Sequence, residues 1–131
     1  MTLLEIQNHV MFQTNNDADD LPDYQPAVNK YINEGYELLA YAYDKLHLDE
    51  VAEGESIARY ATLANTTDVP AIPAWAHRAI ADYATYLMYR NGNALKQNRG
   101  MAYYQMFMEV YKQMPFAKGT VRKMKNLYVE V

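Results

Sequence analysis

Residues 24–46 read YQPAVNKYINEGYELLAYAYDKL, and the spacing of their apolar positions decides the fold. Val28, Ile32, Gly35, Leu39, Ala42 and Leu46 recur at steps of three and four, the period of one helix face, and Tyr31, Leu38 and Tyr43 widen the stripe. Pro26 suits the first turn, whose amides need no intrahelical acceptor. Gly35 lies on the apolar face, where its propensity cost of about 1 kcal/mol predicts a close approach by another helix. A helix of roughly 33 Å with one such stripe must bury it against neighbours.

The flanking sequence supplies those neighbours. Thr2 followed by Glu5 is a capping box that opens a helix over about 2–12, with Leu3, Ile6 and Val10 on one face and Leu4 and Met11 beside them. Between Gln13 and Asp23 the residues Asn15, Asn16, Asp17, Asp19, Asp20 and Pro22 are turn and cap chemistry, which predicts a loop or a brief turn ending at a cap. From His47 to Pro73 the helical period is lost, with Gly54, Asn65–Asp68, Pro70 and Pro73 as punctuation, so a long central loop is expected. Pro73 or Ala74 opens a third helix whose Trp75, Ala79, Ile80, Tyr83, Ala84, Tyr86, Leu87 and Met88 wrap more than half the cylinder. Arg90 suits its last turn and Gly92 a left-handed closing position. Asn93 then caps a fourth helix over about 94–114, halted by Pro115 and bent at Gly100. Its Met101, Tyr104, Met106, Phe107, Met108, Val110, Tyr111 and Met114 again cover several faces. The expected architecture is all-α: a small bundle of about four helices over 1–114, followed by a basic C-terminal tail, 115–131. That tail carries Lys118, Arg122, Lys123 and Lys125, then Leu127, Tyr128, Val129 and Val131 as a short strand or extended arm.

Composition narrows the function classes. With no cysteine there is no disulfide framework, thiolate zinc site, cysteine nucleophile or iron–sulfur cluster. The longest apolar run, Leu38–Tyr43, is far short of the roughly 18 residues of a membrane span, and no basic-then-apolar leader is present; a soluble, unsecreted chain is expected. The sequon at Asn65 is therefore expected to stay unmodified. Thirteen Tyr and eight Met make up for a low content of Leu, Ile, Val and Phe. Such side chains are either core filler or surface that is dry in an assembly and wet outside it. Charge divides along the chain: residues 1–68 hold thirteen acidic and three basic side chains, residues 69–131 three acidic and nine basic. Two such halves can neutralise each other within one subunit or meet head to tail between copies. A net charge of −4 disfavours general nucleic-acid binding.

Catalytic constellations are sparse. His9, His47 and His77 stand alone, without metal-ligand spacing, and read as surface or hydrogen-bonded histidines. Arg78 and Asp82 are spaced for an i, i+4 pair, and Trp75 with Arg78 for a cation–π contact. Glu34 and Glu37, followed by Glu50 and Glu53, resemble the paired acidic motifs with which all-α nucleoside triphosphate pyrophosphohydrolases hold magnesium. The second pair lacks the closing Asp of that pattern, and no basic residue stands nearby to grip phosphate. A solvated acidic face is the simpler reading, with no cofactor and no enzymatic activity expected.

A further likeness spans most of the chain. The ordered set Asn15-Asn16-Asp17 to Asp20 and Leu21, Tyr31-Ile32-Asn33-Glu34-Gly35-Tyr36, Asp68 through Ala79, Asp82-Tyr83-Ala84-Thr85-Tyr86, Tyr89-Arg90-Asn91-Gly92-Asn93, Lys96-Gln97 and Arg99-Gly100 resembles the head–tail connector adaptor proteins of long-tailed bacteriophages and prophages, over residues 2–114. The resemblance implies an all-α subunit of a ring, usually dodecameric, beneath the portal protein at the head–tail interface of the virion, assembled in the host cytoplasm. It implies a ring that extends the DNA channel and docks the next neck or tail-completion protein. Genomic DNA would pass close by without specific contact, and no membrane is involved. On this basis Trp75, Tyr83, Tyr86, Tyr104, Met108 and Tyr111 are expected at subunit interfaces. Phe116, Lys118, Arg122, Lys123, Lys125, Leu127 and Tyr128 are expected against the portal, and Asp17, Asp19 and Asp20 along the channel, where negative charge lets the duplex slide.

Overall fold

The computed structural model describes residues 1–44 and 61–116 of the chain. It is an all-α bundle of four α-helices: α1 (Leu3–Gln13), α2 (Leu21–Asp44), α3 (His77–Arg90) and α4 (Ala94–Gln113). Short 3-10 turns at Ala18–Asp20, Ala74–Ala76 and Met114–Phe116 lead into or out of them.

α1 begins where expected because its first-turn amides are all answered. The Thr2 hydroxyl accepts from the Glu5 amide and Glu5 reaches back to the Thr2 amide, closing the capping box. The Leu3 and Leu4 amides donate to the carbonyls of Asp68 (2.8 Å) and Thr66 (3.2 Å), so the start of α1 is stitched to a distant loop. Leu3, Ile6 and Val10 are fully buried, as is Met11, whereas Leu4 is 40% exposed.

α2 starts at Leu21, three residues earlier than the sequence pattern suggested, because the turn Ala18–Asp20 runs straight into it. Pro26 therefore sits in the second turn, not the first, and leaves the Pro22 carbonyl without its i+4 donor. Both prolines are exposed, so water can serve that carbonyl. The buried face of α2 holds Val28, Ile32, Gly35, Leu39 and Ala42 of the predicted stripe together with Tyr36 and Ala40, which the pattern did not assign to it, whereas Leu38, assigned to its edge, is 39% exposed. Leu46, the last position assigned to it, lies outside the described residues.

The described part of the central connection is firmly tied, and Asn33 of α2 does much of the tying. Its carboxamide accepts from the Leu63 amide (2.9 Å) and donates to the Leu63 carbonyl (3.0 Å), reproducing one rung of backbone pairing. Asp68 Oδ2 accepts from the Ala64 and Asn65 amides, which holds its carboxyl below the usual carboxylate range. The Tyr36 hydroxyl accepts from the Ala71 amide at 2.9 Å.

α3 is the hub, packing against α1, α2 and α4. Glycines set two of those approaches. A methyl group on Gly35 would lie 3.1 Å from the Tyr83 ring, and one on Gly100 would lie 3.0 Å from Tyr89 Cβ. Gly100 thus serves close packing of α4 on α3, where the sequence suggested a bend. Gly92 does not take the left-handed conformation expected of it; Asn91 closes α3 with φ −93°. Gly92 is needed instead because a Cβ there would sit 2.7 Å from the Lys96 side chain. Asn93 caps α4 as predicted, accepting from the Lys96 amide. The chain packs as far as Met114, which is fully buried and whose turn rests on α2.

Candidate functional site

The polar groups buried along the α1–α3 seam converge on Gln13. Its Nε2 donates to Asp82 Oδ1 at 3.0 Å, and its Oε1 lies 2.6 Å from the Thr85 hydroxyl, which also lies 2.8 Å from the Ala81 carbonyl. The Gln13 carbonyl, an orphan at the end of α1, accepts from the Tyr89 hydroxyl at 3.0 Å. Asp82 is buried, which raises its pKa against the lowering pulls of Gln13, Arg78 and His9. His77 is buried too: Nε2 meets the Ile72 carbonyl at 2.8 Å and Nδ1 the Met1 ammonium at 2.8 Å. A carbonyl can only accept, so Nε2 donates to it, while Nδ1 is placed to accept from the ammonium; burial pushes the pKa of His77 down. These groups are hydrogen-bonded to the fold, and among the described residues no cluster of three His, Asp or Glu is placed to hold a metal ion.

Among the described residues, two grooves that include α3 side chains differ in charge. The larger, about 660 Å³, lies between α1, α3 and α4. Phe12, Met106 and Tyr103 give it apolar walls, and Arg78, Arg99 and His9 are its titratable side chains besides tyrosine. Phe12 is 77% exposed, and His9 Nε2, a buried atom, has no hydrogen-bond partner among the described residues. Asn15, at one end, holds φ 60°, a left-handed conformation that asparagine tolerates. The smaller groove, about 410 Å³, runs along α2 and is lined by Glu34, Glu37, Leu38, Tyr41 and Tyr83.

The aromatic side chains expected at subunit interfaces are largely engaged with each other. Tyr83 stacks obliquely on Phe107 at 4.7 Å and Tyr86 on Tyr104 at 4.8 Å, while Tyr111 flanks Phe107 at 5.9 Å. This ladder closes the α3–α4 hairpin; Tyr83, Tyr86, Tyr104, Met108 and Tyr111 are each half-buried. Trp75 is different, being 51% exposed on the turn before α3. Further exposed apolar side chains, none singled out as contacts, include Phe12, Val69, Leu95, Met101 and Met106. Phe12 had a signal, since it is the one large aromatic of α1 and falls off its buried stripe.

Asp17, Asp19 and Asp20 are exposed together at the α1–α2 turn. Phe116 is exposed at the last described turn, whereas Lys118, Arg122, Lys123, Lys125, Leu127 and Tyr128 lie outside the described residues. Glu34 and Glu37 share the smaller groove, and Glu50 and Glu53 lie outside the described residues. No helix among the described residues is long and apolar enough to cross a membrane. No family model, curated protein or solved structure matches the chain.

Proposed function

We propose that the chain is a structural subunit of the ring that joins head to tail in a long-tailed phage particle, seated below the portal protein and extending the DNA channel. The observation that carries this reading is the apolar surface one subunit leaves open: Phe12, Trp75, Leu95, Met101, Met106 and Phe116 are each at least 40% exposed. Phe12 and Met106 share the larger groove, and exposed apolar surface gathered in this way marks a face that another chain covers. A ring subunit needs two unlike, complementary faces, and grooves of opposite charge supply them. The resemblance in sequence names the kind of ring, and the exposed acidic turn Asp17–Asp20 suits a lumen through which DNA slides without being held.

The test is to purify the protein alone and with the cognate portal protein and to image both by electron microscopy. Rings, alone or only with portal, support the proposal; no assembly in either case opposes it. Incubation with nucleoside triphosphates and magnesium provides the second arm. Pyrophosphate release that disappears in Glu37→Ala would replace the structural reading with the pyrophosphohydrolase one.

A further inference from the structure

The groove between α1, α3 and α4 is a strip with a cation at each end. Arg78 and His9 mark one end, where the buried Asp82 carboxyl feels the charge of both. Arg99 marks the other, beside Tyr89, whose hydroxyl feels it and whose ring lies nearly parallel to that of Tyr103 at 6.4 Å. Arg78 and Tyr89 are eleven residues apart on α3, so the strip is about 16 Å long. Phe12, 77% exposed, and Met106, 40% exposed, supply its apolar part.

The subunit leaves the polar groups of this strip incomplete. No carboxylate is among the described residues that line it, and Asp82, which is not one of them, is buried and hydrogen-bonded to Gln13. His9 Nε2 is a buried atom with no hydrogen-bond partner among the described residues, and Arg78 and Arg99 are both exposed. A guanidinium fork beside apolar side chains suits a carboxylate delivered by another chain, because apolar cover strengthens the charge-assisted bond. The chain itself carries such carboxylates: among the described residues, every exposed one except Glu109 lies on α1, on α2 or on the turn between them. The charge division along the sequence points the same way, acidic in residues 1–68 and basic in residues 69–131. From these observations we infer that the strip receives the acidic α2 side of a second copy, with Arg78 and Arg99 each taking a carboxylate and Phe12 and Met106 covered by the contact. Unlike faces meet in this contact, so it repeats from copy to copy. It rests on the ring reading and names the residues with which each subunit receives its neighbour.

A charge reversal that leaves the acidic side intact tests it. In the full chain with portal protein present, Arg78→Glu with Arg99→Glu is expected to lower the yield of rings in electron micrographs about tenfold or more, while circular dichroism matches wild type. Arg78→Gln with Arg99→Gln, which removes the charges without adding repulsion, should show the same loss more weakly. Arg90→Glu with Lys96→Glu, at exposed cations outside the strip, should assemble as wild type does. Mixing adds a further arm. The reversed variant can still offer its acidic side to a wild-type strip but cannot receive another copy, so in equal amount it should cap growing arcs and lower the yield of closed rings from wild type. Normal rings from the reversed variant, its entry into normal rings beside wild type, or loss of its own rings without capping in the mixture would each overturn the inference and leave the ring reading in place. Absence of rings from wild type, with and without portal, would overturn both.

Discussion

Tyr83 presses its ring against the backbone of Gly35, close enough that a single methyl group on the glycine would lie 3.1 Å from the ring and 3.2 Å from Tyr83 Cβ. The same tyrosine turns its other side to Phe107, so one residue of α3 sets the spacing of both α2 and α4. The bundle is built around this contact.

Alanine at Gly35 gains about 1 kcal/mol of helix propensity and loses a comparable amount by displacing Tyr83. Urea unfolding should find Gly35→Ala within about 1 kcal/mol of wild type, because the ring can slide. Gly100→Ala should be the worse of the two, since its methyl group meets Tyr89 Cβ at 3.0 Å and the Tyr86 carbonyl at 3.4 Å, and backbone yields less readily. A ranking in the opposite order would contradict the packing described.

Asn33→Ala removes both bonds to Leu63 and leaves the amide and carbonyl of a buried residue unpaired. The expected loss is about 1–3 kcal/mol. Hydrogen exchange should show the Leu63 amide losing protection well before the amides of α3 do.

Buried Asp82 and His77 give opposite pH dependences. His77 has its pKa lowered, so below about 6.5 the unfolded chain binds the proton more readily, and stability rises with pH across that window. Asp82 has its pKa raised, so above about 3.9 the folded chain keeps a proton that the unfolded chain has lost, and stability falls as pH rises to the folded pKa. Asp82→Asn should therefore stabilise the protein at pH 7 relative to pH 3.5, since the amide oxygen can still accept from Gln13. Denaturant titrations of both proteins at the two pH values check the sign.

Much of this fold is legible in sequence because its helices obey local rules. The capping box at Thr2, the stripe Val28–Ala42 and the cap at Asn93 each act within a few residues and appear where expected. What was not legible depends on contacts distant in sequence. That Gly100 serves the close approach of α4 to Tyr86 and Tyr89 of α3 follows from how the hairpin packs. The pattern counts tyrosines on a helix face but cannot tell which pair with one another. Tyr83, Tyr86, Tyr104 and Tyr111 spend much of their surface on the hairpin, leaving Phe12 and Met106 more open. The charge of the two grooves, likewise, arises only once α1, α2 and α4 are arranged around α3.

The exposed acidic turn carries a prediction about DNA transit. In the proposed ring, changing the exposed Asp17, Asp19 and Asp20 to Lys would put three cations per subunit where DNA phosphates pass. Particles carrying the triple substitution should assemble yet eject their DNA more slowly, with the delay shrinking at high salt. Unchanged ejection would place this turn away from the channel.

In the proposed ring other chains cover the exposed apolar side chains, and single cysteines report on them directly in a chain that has none of its own. Phe12→Cys, Trp75→Cys and Met106→Cys would each be labelled with a maleimide, once as free protein and once within intact particles. The account predicts rapid labelling of the free protein and protection of these positions after assembly, while Asp23→Cys on the exposed start of α2 serves as the solvent-facing reference. Equal labelling of all three positions in the free and assembled states would contradict it.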